Sequence, residues 1–407
     1  MAKSVSSSHG FSFPNGGLLP KEEMLEVGRK PKSLVIGIPK EDHKSESRVA
    51  LTPEAVEILV NNGHELIIGN EAGKGANYTN TDYSEKGAQI IKEKAEVFKA
   101  DIILKISPPT ADELEMMQPQ QVLISSLQLT SQCREFIETL IRKRITAICF
   151  EGIKDENNYY PVTRSMSCIA GNTAVLIAAE YLSNQREGKG VMLGGITGIT
   201  PTEVVILGAG TAAEYAVRAA MGLGAFVKVF DRSVHRLTRL QNNLGMRLHT
   251  SVFHQRVIKK ALTSADVLIG AIHLSDKGPR YYVTEDMVKG MKKGSVIVDL
   301  SIDQGGCVET SELTSQTAPV FTKHGIVHYC VPNVTSRVAR TASIAVSNVF
   351  LPILLNLAES GGLNTMLKDD QGFRHGVYVY NGILTNEYIG KIFNLPSKDI
   401  DLLMAAF

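Results

Sequence analysis

The sequence predicts an α/β fold with two Rossmann-like, doubly wound domains, each built on a parallel sheet, and a cleft between them. Short apolar runs alternate with helical segments along most of the chain. This alternation is typical of parallel sheets covered by helices on both faces. The series occurs twice, once before and once after Pro161. The 407 residues are enough for two or three domains of ordinary size.

The first series begins at Ser33. Its first helix opens at Thr52, which can cap it, followed by Pro53 at the first helical position and Glu54 at the positive end of the helix dipole. We expect this helix to end at Gly63 and a second helix to cover most of Tyr83–Lys99. The predicted strands are Ser33–Pro39, His64–Gly69, Asp101–Ser107, Gln121–Gln128 and Ile145–Phe150.

The second series begins with a long, almost uncharged helix over Met166–Asn184, which is suited to packing between two domains. A Gly-rich loop follows over Gly188–Pro201. A last apolar helix, Ala342–Ala358, should kink or break at Pro352, and the tail from Val377 should form a strand or loop and then a helix. The predicted strands of this series are Val204–Leu207, Phe226–Phe230, Val267–Ile272, Ser295–Leu300 and Ile326–Cys330.

These elements divide the chain into an N-terminal arm and two domains. The arm is residues 1–32, which are rich in serine and carry no apolar signal-peptide segment. The first domain is predicted to comprise residues 33–161 and 342–407 and to be discontinuous, because the final helix returns the chain to it. The second domain, residues 162–341, is inserted between the two parts.

Composition excludes several classes of protein. Lys and Arg total 43 against 42 for Asp and Glu, which excludes a strongly basic nucleic-acid-binding protein and an acidic-tail protein. The five cysteines are far apart and lack zinc-site spacing, so we expect reduced thiols and no metal. No apolar run reaches the roughly 18 residues of a membrane span. We therefore expect a cytoplasmic protein that contacts neither nucleic acid nor a membrane.

A glycine-rich loop is the strongest functional signal. Val204–Ala213 reads as a strand running into G-x-G-x-x-A, whose glycines are Gly208 and Gly210, with a helix after it. Such glycines let the backbone approach a pyrophosphate at the helix N-terminus. Asp231 ends the next strand, 21 residues past Gly210, near the spacing of a ribose-binding acid. The alternative is a turn that binds nothing. The pattern predicts NAD rather than NADP, because a carboxylate repels a 2′-phosphate, although Arg232 follows.

Two further candidates follow predicted strands of the second domain. Asp303 lies in the loop Ser301–Gly306, directly after the strand Ser295–Leu300. This loop lies at the carboxyl end of a parallel strand, where ligands bind in such sheets. Asn333 lies just past the strand that ends at Cys330, near the same edge. The alternative for Asp303 is an exposed acid in a turn.

Arg48 is the candidate residue of the first domain. It lies between a predicted strand and a predicted helix, and the apolar residues that follow it indicate a partly buried position. A planar guanidinium at such a position suits a carboxylate ligand. A salt bridge to Glu46 or Asp42 is the alternative interpretation.

Several segments together resemble the alanine dehydrogenase and pyridine-nucleotide transhydrogenase family, and alanine dehydrogenase most closely. The resemblance extends from Ser33 to the C-terminus. It implies an NAD-dependent oxidoreductase that converts L-alanine to pyruvate, and a homo-oligomer, often a hexamer. The segments are GIPKE…SRVALTP (Gly37–Pro53), DIILKI (Asp101–Ile106), SMSCIAG (Ser165–Gly171), GAGTAA (208–213) and VDLSIDQGGC (Val298–Cys307).

The resemblance also implies roles for individual residues. Arg48 matches the arginine that holds the substrate carboxylate, and Asp303 matches the catalytic aspartate near the nicotinamide. Met166 matches a methionine of the substrate pocket, and Asn333 a contact to both substrate and nicotinamide. The family usually has lysine where this chain has Arg236. The motif and the resemblance together give the predicted cofactor contacts, to which we add His273 after a strand of the same sheet: Ser167, Gly208, Gly210, Thr211, Ala212, Asp231, Arg236, His273 and Asn333.

Two positions depart from the family. The segment that reads L-K-V-K-E-P in alanine dehydrogenases reads L-K-I-S-P here, which places Ser107 at the substrate-binding lysine. The family's L-H-L reads L-Q-L, which places Gln128 at the acid/base histidine. Neither side chain titrates near neutral pH. Lys105 lies two residues before Ser107 on a predicted strand, hence on the same face, and could supply the catalytic group. His273 is another candidate acid/base, with a surface residue as the alternative.

Three functions are consistent with these patterns. The first is an alanine dehydrogenase whose active site has departed from the family. The second is a dehydrogenase of the same fold that acts on another amino acid or on an opine-like secondary amine. The third is an NAD-binding regulatory protein without catalysis. The presence of both Arg48 and Asp303 favours an enzyme.

Overall fold

Two sheets flanked by helices make up the computed structural model, which describes residues 32–42, 45–186, 188–274 and 280–405. The predicted N-terminal arm, residues 1–32, lies outside these residues except for Lys32. The backbone N–H of Lys32 donates to the carbonyl of Ala358 at 3.0 Å, so the first described residue contacts a helix from the other end of the chain.

Strands and helices alternate along both halves of the described chain. The strands are β1 (Val35–Ile38), β2 (Glu65–Gly69), β3 (Gln89–Ile91), β4 (Ile102–Leu104), β5 (Val122–Ser125), β6 (Thr146–Cys149), β7 (Glu203–Leu207), β8 (Phe226–Asp231), β9 (His249–Val252), β10 (Val267–Gly270), β11 (Val296–Asp299), β12 (Val320–Lys323), β13 (Ile326–Tyr329), β14 (Val377–Tyr380) and β15 (Ile383–Leu384). The helices are α1 (Pro53–Asn61), α2 (Asn80–Ser84), α3 (Lys94–Val97), α4 (Ala111–Met116), α5 (Arg134–Arg142), α6 (Pro161–Leu182), α7 (Thr211–Gly222), α8 (Val234–Leu244), α9 (Gln255–Ser264), α10 (Glu285–Lys289), α11 (Ala339–Glu359), α12 (Leu363–Asp369), α13 (Gln371–Arg374), α14 (Glu387–Phe393) and α15 (Ile400–Ala405).

The two sheets share one strand order. The first has the order β15-β14-β6-β5-β4-β1-β2-β3, and the second has the order β12-β13-β11-β10-β7-β8-β9. In each sheet six parallel strands follow the doubly wound order 3-2-1-4-5-6. The strand order reverses between β1 and β4 in the first sheet and between β7 and β10 in the second. The predicted fold class is confirmed.

The C-terminal tail completes the first sheet. β14 pairs antiparallel with β6, with Val377 opposite Ile148, and β15 pairs antiparallel with β14. The chain therefore leaves the first sheet after β6, builds the whole second sheet and then returns. This course agrees with a discontinuous first domain, whose boundaries at residues 33–161 and 342–407 stay a prediction.

Buried strands and one close helix pair form the core of the second sheet. All four residues of β10 and of β11 are buried, as expected for central parallel strands. Helix α6 packs against α7 so closely that a Cβ on Gly171 would lie 2.1 Å from the carbonyl oxygen of Ala212. Glycine is required at this position, and the contact brings α6 against the start of α7.

Some predicted elements were wrong. Tyr83–Lys99 is not mostly helical: Gly87 has a φ of +89° and ends the helical part, and Gln89–Ile91 pairs with β2 as an edge strand. The strands β9 and β12 were not predicted, because their residues are partly exposed and lack an apolar run. Helix α11 does not break at Pro352, which it contains in its interior. Buried residues on either side, Phe350 and Leu354, hold it in place.

Serine hydroxyls on and before α11 support the irregular segment that precedes α1. The backbone N–H groups of Ser47, Val49 and Thr52 donate to the hydroxyls of Ser336, Ser343 and Ser347 at 2.7, 2.9 and 3.1 Å. Buried N–H groups outside a helix or sheet need such partners. Among the described helices α11, with its preceding turn, is long and apolar enough to cross a membrane. Here its buried serines bind another part of the same protein.

Replacing Ser343 with alanine should measure this support directly. The change leaves the buried N–H of Val49 without its acceptor, which costs about 1–3 kcal/mol. We expect Ser343→Ala to lower the free energy of unfolding by that amount in urea denaturation. Thr341→Ala, at an exposed position on the same helix, should change it by less than about 0.5 kcal/mol. Equal losses from both variants would contradict this role.

Candidate active site

Several of the candidate residues lie in loops at the two points where strand order reverses. The loops after β1 and β4 carry Arg48 and Ser107, and the loops after β7 and β10 carry Gly208 and His273. Ligands bind at such positions, outside the carboxyl ends of the strands. Arg48 contacts Met166 on α6, and Asn333 in the loop after β13 contacts Glu46 in the loop after β1, so these contacts bring parts of the two sheets together.

Arg48 is held by the buried carboxylate of Glu46. Its Nε and Nη2 donate to the two carboxylate oxygens at 2.8 and 2.7 Å, and its Nη1 approaches the Met166 sulfur at 3.2 Å. The predicted alternative, a salt bridge to Glu46, is thus present. It occupies one edge of the guanidinium, and Nη1 is engaged by the Met166 sulfur. A carboxylate at the edge formed by Nη1 and Nη2 would use the second N–H group of each nitrogen.

Glu46 stays ionised although it is buried. Burial opposes its charge, but the Arg48 guanidinium and the hydrogen bonds from Arg48 and Asn333 outweigh burial and hold the pKa of Glu46 below its usual value. Asn333 has a left-handed backbone conformation, with a φ of 56°. This conformation turns its side-chain amide to donate to Glu46, while the Thr335 hydroxyl donates to its Oδ1 at 3.0 Å. One carboxylate therefore links a loop of the first sheet to a loop of the second.

The two glycines of the glycine-rich loop have different roles: the backbone requires glycine at position 208, whereas Gly210 borders open space. Gly208 has a φ of +106°, and a Cβ there would lie 2.2 Å from the carbonyl oxygen of Ala271. Gly210 caps α7 with ordinary backbone angles, and a Cβ there would meet no atom of the described residues within 4 Å. Thr211 and Ala212 then form the first turn of α7. The loop leaves open space directly at a helix N-terminus, where an anion is favoured.

Asp231 is part of the scaffold of this loop. Its two carboxylate oxygens accept the backbone N–H of Ala209 and of Ser233, each at 2.8 Å, and the residue is buried. Arg236 is exposed on α8. Sequence reasoning missed Arg239, three residues further along α8, whose Nη2 donates to the carbonyl of Ala209 at 3.0 Å. The sequence offered one indication of Arg239: it lies three residues after Arg236, hence on the same side of α8.

Asp299 anchors the loop that carries Asp303. This buried carboxylate accepts the N–H of Ser301 at 3.0 Å, the N–H of Cys307 at 2.9 Å and the hydroxyl of Ser311 at 2.8 Å. Sequence reasoning did not single out Asp299, because it reads as the end of an apolar strand. The Ser301 hydroxyl donates to the carbonyl of Ile272 at 2.7 Å, which ties this loop to the one after β10.

Asp303 lies in a short 3-10 turn, Ile302–Gln304, and its side chain remains accessible. Surrounding protein reduces its hydration, and this desolvation raises the pKa of Asp303, with the carboxylates of Glu151 and Asp299 acting in the same direction. Glu151 follows β6 of the first sheet.

Lys105 does not lie on the face predicted for it. β4 ends at Leu104, so strand alternation does not carry through to Ser107. The Lys105 Nζ lies 3.0 and 2.9 Å from the two oxygens of Glu113 and 3.4 Å from Glu41, and the residue is only 3% exposed. Lys105 is thus a buried cation paired with carboxylates, and its catalytic role stays a prediction.

The other predicted residues are placed as follows. Ser107 is half-buried just past β4, and Gln128 is exposed with a left-handed φ of 45°. Ser167 is half-buried on α6, one residue from Met166, and His273 is exposed beside the Asp303 loop. Within the described ranges no group of three His, Cys, Asp or Glu side chains could hold a metal ion.

The two glycines allow a matched test of the loop. Gly208→Ala should lower the free energy of unfolding by more than about 1–2 kcal/mol, because its φ and the Ala271 carbonyl both oppose a Cβ. Gly210→Ala should leave stability nearly unchanged but weaken NADH binding, because its Cβ occupies the open space. Thermal unfolding and NADH fluorescence titration measure the two effects. Unchanged NADH affinity in Gly210→Ala would contradict a pyrophosphate site there.

Comparison with known proteins agrees with this geometry. The family model "Alanine dehydrogenase/PNT, N-terminal domain" matches residues 37–170, and "Alanine dehydrogenase/PNT, C-terminal domain" matches residues 174–387. An alanine dehydrogenase of Staphylococcus saprophyticus subsp. saprophyticus is 36% identical over 369 residues, 90% of this chain and 99% of the relative. Alanine dehydrogenase 2 of Staphylococcus aureus is 36% identical over 368 residues, covering 90% of this chain and 98% of that protein.

Solved structures give the same result. An L-alanine dehydrogenase structure superposes with a TM-score of 0.82 at 38% identity, covering 88% of this chain and 99% of that one. A transhydrogenase from Sinorhizobium meliloti has a TM-score of 0.73 at 23% identity, covering 87% of this chain and 99% of that one, and this likeness concerns the fold. The resemblance inferred from the sequence is confirmed: the chain belongs to the alanine dehydrogenase/PNT family.

Proposed function

We propose that the protein is an NAD-dependent amino acid dehydrogenase of the alanine dehydrogenase type, with an altered active site. The reaction is L-alanine plus NAD+ and water to pyruvate, ammonia and NADH. The observation that carries this proposal is the cluster at the cleft. Arg48, Met166 and Asn333 adjoin one another through Glu46 and the Arg48 guanidinium, and Asp303 lies in the loop after β11 of the second sheet.

The cofactor site has the features that NAD requires. Gly210 leaves open space at the N-terminus of α7 for a pyrophosphate. Asp231 ends β8, and each of its oxygens keeps a lone pair for a ribose hydroxyl after accepting one backbone N–H. The carboxylate disfavours the 2′-phosphate of NADP. When bound, NAD+ supplies the hydride acceptor. Ser167, Arg236, His273 and Asn333 are the further proposed contacts.

The substrate site is proposed to orient a small amino acid. The edge of Arg48 formed by Nη1 and Nη2 would bind the α-carboxylate, and Met166 beside it would pack on the apolar side chain. Asn333, fixed by Glu46 and Thr335, would contact both substrate and nicotinamide. Asp303 would stabilise the positive charge that develops on nitrogen as the hydride leaves. Holding these groups in place before reaction is a major source of rate.

The altered positions are Ser107 and Gln128. Both would line the substrate site, but neither exchanges a proton near neutral pH. Positioned acid–base groups contribute on the order of 10²–10⁴-fold. The proposal is therefore a slow alanine dehydrogenase compared with relatives that carry lysine and histidine at these positions.

A second substrate class is favoured by the charge of the cleft. Replacement of the family's lysine and histidine removes up to two positive charges, while the acidic Glu151 and Asp303 remain and influence each other. A basic amino acid, whose side chain adds a cation, would suit this cleft and is the alternative substrate that the charge favours. An opine-type secondary amine adds no cation, so it and an NAD-binding regulatory protein without turnover are the remaining alternatives.

Assembly and location are also proposals. We propose a homo-oligomer, supported by exposed apolar side chains on the two long helices, Leu176 on α6 and Ile344 on α11. Exposed apolar surface of this kind is typical of interfaces. All five cysteines are free thiols, which supports the cytoplasm, a reducing compartment.

Amino-acid-dependent NADH formation tests the proposal. We expect slow NAD+ reduction with L-alanine and slower reduction of NADP+. The double variant Ser107→Lys with Gln128→His restores the family's residues, so it should raise the rate with alanine by at least about tenfold. A panel of L-amino acids and secondary amines separates the alternatives. Efficient alanine oxidation by the unmodified protein, with no gain in the double variant, would contradict the altered site. No turnover with any substrate would support a regulatory protein.

A further inference from the structure

Arg239 contacts the glycine-rich loop from the neighbouring helix α8. Its Nη2 donates to the carbonyl of Ala209, the residue between the two glycines of the loop, at 3.0 Å. Asp231, at the end of β8, accepts the N–H of the same residue at 2.8 Å. A basic and an acidic side chain from two consecutive elements, α8 and β8, therefore hold both backbone polar groups of Ala209.

This arrangement sets the direction of one peptide group. No peptide bond of the described residues is cis, so the C=O of Ala209 and the N–H of Gly210 point in opposite directions. Because the carbonyl points to Arg239 on α8, the N–H points away from α8. Among the described residues nothing accepts the N–H of Gly210, so it is available to a ligand at the start of α7.

The glycine that follows makes this peptide easy to rotate. Glycine tolerates φ of either sign, and Gly210 also has open space where a Cβ would lie. A rotation that exchanges the directions of the C=O and the N–H would thus meet little resistance at Gly210. In the rotated form a carbonyl oxygen would face a bound anion in place of an N–H. The loop therefore needs a partner that holds the carbonyl of Ala209 in its present direction.

Arg239 is available for this contact because the acid nearby on α7 has other partners. Glu214, in the first turn of α7, accepts from Arg218 at 2.7 Å and from the Asn243 side chain at 3.0 Å. Arg218 also donates to the carbonyl of Asn243 at 2.9 Å. Arg218 therefore ties α7 to α8 through a backbone carbonyl, as Arg239 ties α8 to the loop, but it does not contact the glycine-rich loop.

We infer that Arg239 is a positioning residue for the cofactor: it holds the peptide between Ala209 and Gly210 so that its N–H, and not its carbonyl oxygen, meets the pyrophosphate of NAD. This inference rests on the proposed function and deepens its cofactor site. A hydrogen bond from a charged donor is roughly twice as strong as one between neutral groups, which suits a contact that must keep a glycine-flanked peptide in one orientation.

The two arginines of α8 have separate roles in this account. Arg236 is a proposed contact to the cofactor itself, whereas Arg239 acts through the backbone of the loop. The hydrogen bond from Arg239 is present without a ligand, so the loop is oriented before NAD binds. Orienting a site in advance raises affinity because binding no longer has to order it.

NADH titration of Arg239→Met, followed by fluorescence, tests this inference. Methionine keeps an unbranched apolar chain but removes the donor to Ala209. We expect the Kd for NADH to rise by about 10–100-fold, the loss expected for a hydrogen bond from a charged group. Arg218→Met is the matched control, and it should bind NADH like the wild type even where it lowers stability. Unchanged affinity in Arg239→Met, or equal losses in both variants, would overturn the inference.

Fragments of the cofactor separate the orientation of the loop from general damage to the site. ADP-ribose contains the pyrophosphate and adenosine does not. In calorimetric titrations Arg239→Met should weaken the binding of ADP-ribose as much as that of NADH and leave the binding of adenosine unchanged. An equal loss for adenosine would show that the variant disturbs the whole site, and would overturn the inference.

Salt dependence separates orientation of the peptide from direct attraction between the Arg239 charge and the phosphates. Charges on the surface are screened within about 3 Å at 1 M salt. The loss of affinity in Arg239→Met should persist in 1 M NaCl, and a loss that disappears there would overturn the positioning role. A wild-type protein that does not bind NADH would reject the proposed function together with this inference, whereas the same NADH affinity in wild type and Arg239→Met would reject the role of Arg239 alone.

Discussion

The buried carboxylate of Glu46 is the interaction on which the site depends. It accepts two hydrogen bonds from the Arg48 side chain and one from Asn333, and thereby joins a loop of the first sheet to a loop of the second. A carboxylate buried to this degree is stable only when its partners are in place. Separation of the two loops would remove the hydrogen bond from Asn333, whereas the Arg48 partner, which lies in the same loop as Glu46, would stay in place.

The strand order explains why site residues are so far apart in sequence. Each sheet reverses its order once, between β1 and β4 or between β7 and β10. The loops there leave space for ligands. In the first sheet this space holds Arg48, Glu41 and Ser107. In the second it holds the glycine-rich loop and, one strand further, Asp303. Helix α11 supports the first set, because its serines accept the N–H groups of the segment that carries Arg48.

Features with a local signal could be predicted from the sequence. The strand–helix alternation, the capped start of α1 and the G-x-G-x-x-A loop depend on neighbouring residues, and the structure has all three. Features that join distant residues could not be predicted. The hydrogen bond from the Val49 N–H to the Ser343 hydroxyl joins residues 294 positions apart, and no sequence pattern at either residue predicts it. The ion pair of Lys105 could not be predicted either, because its partner Glu113 lies on α4, outside the strand used to orient Lys105.

Arg48→Lys tests the central claim, that Glu46 presents one edge of Arg48 to a substrate carboxylate. A lysine cannot bind two carboxylates through separate edges. Titration of the variant with NADH, and then with pyruvate in the presence of NADH, measures each ligand separately. We predict that pyruvate binding weakens by about 10–100-fold, the loss expected for a charge-assisted hydrogen bond, while NADH affinity stays close to wild type. Equal losses for both ligands, or unchanged pyruvate binding, would contradict the claim.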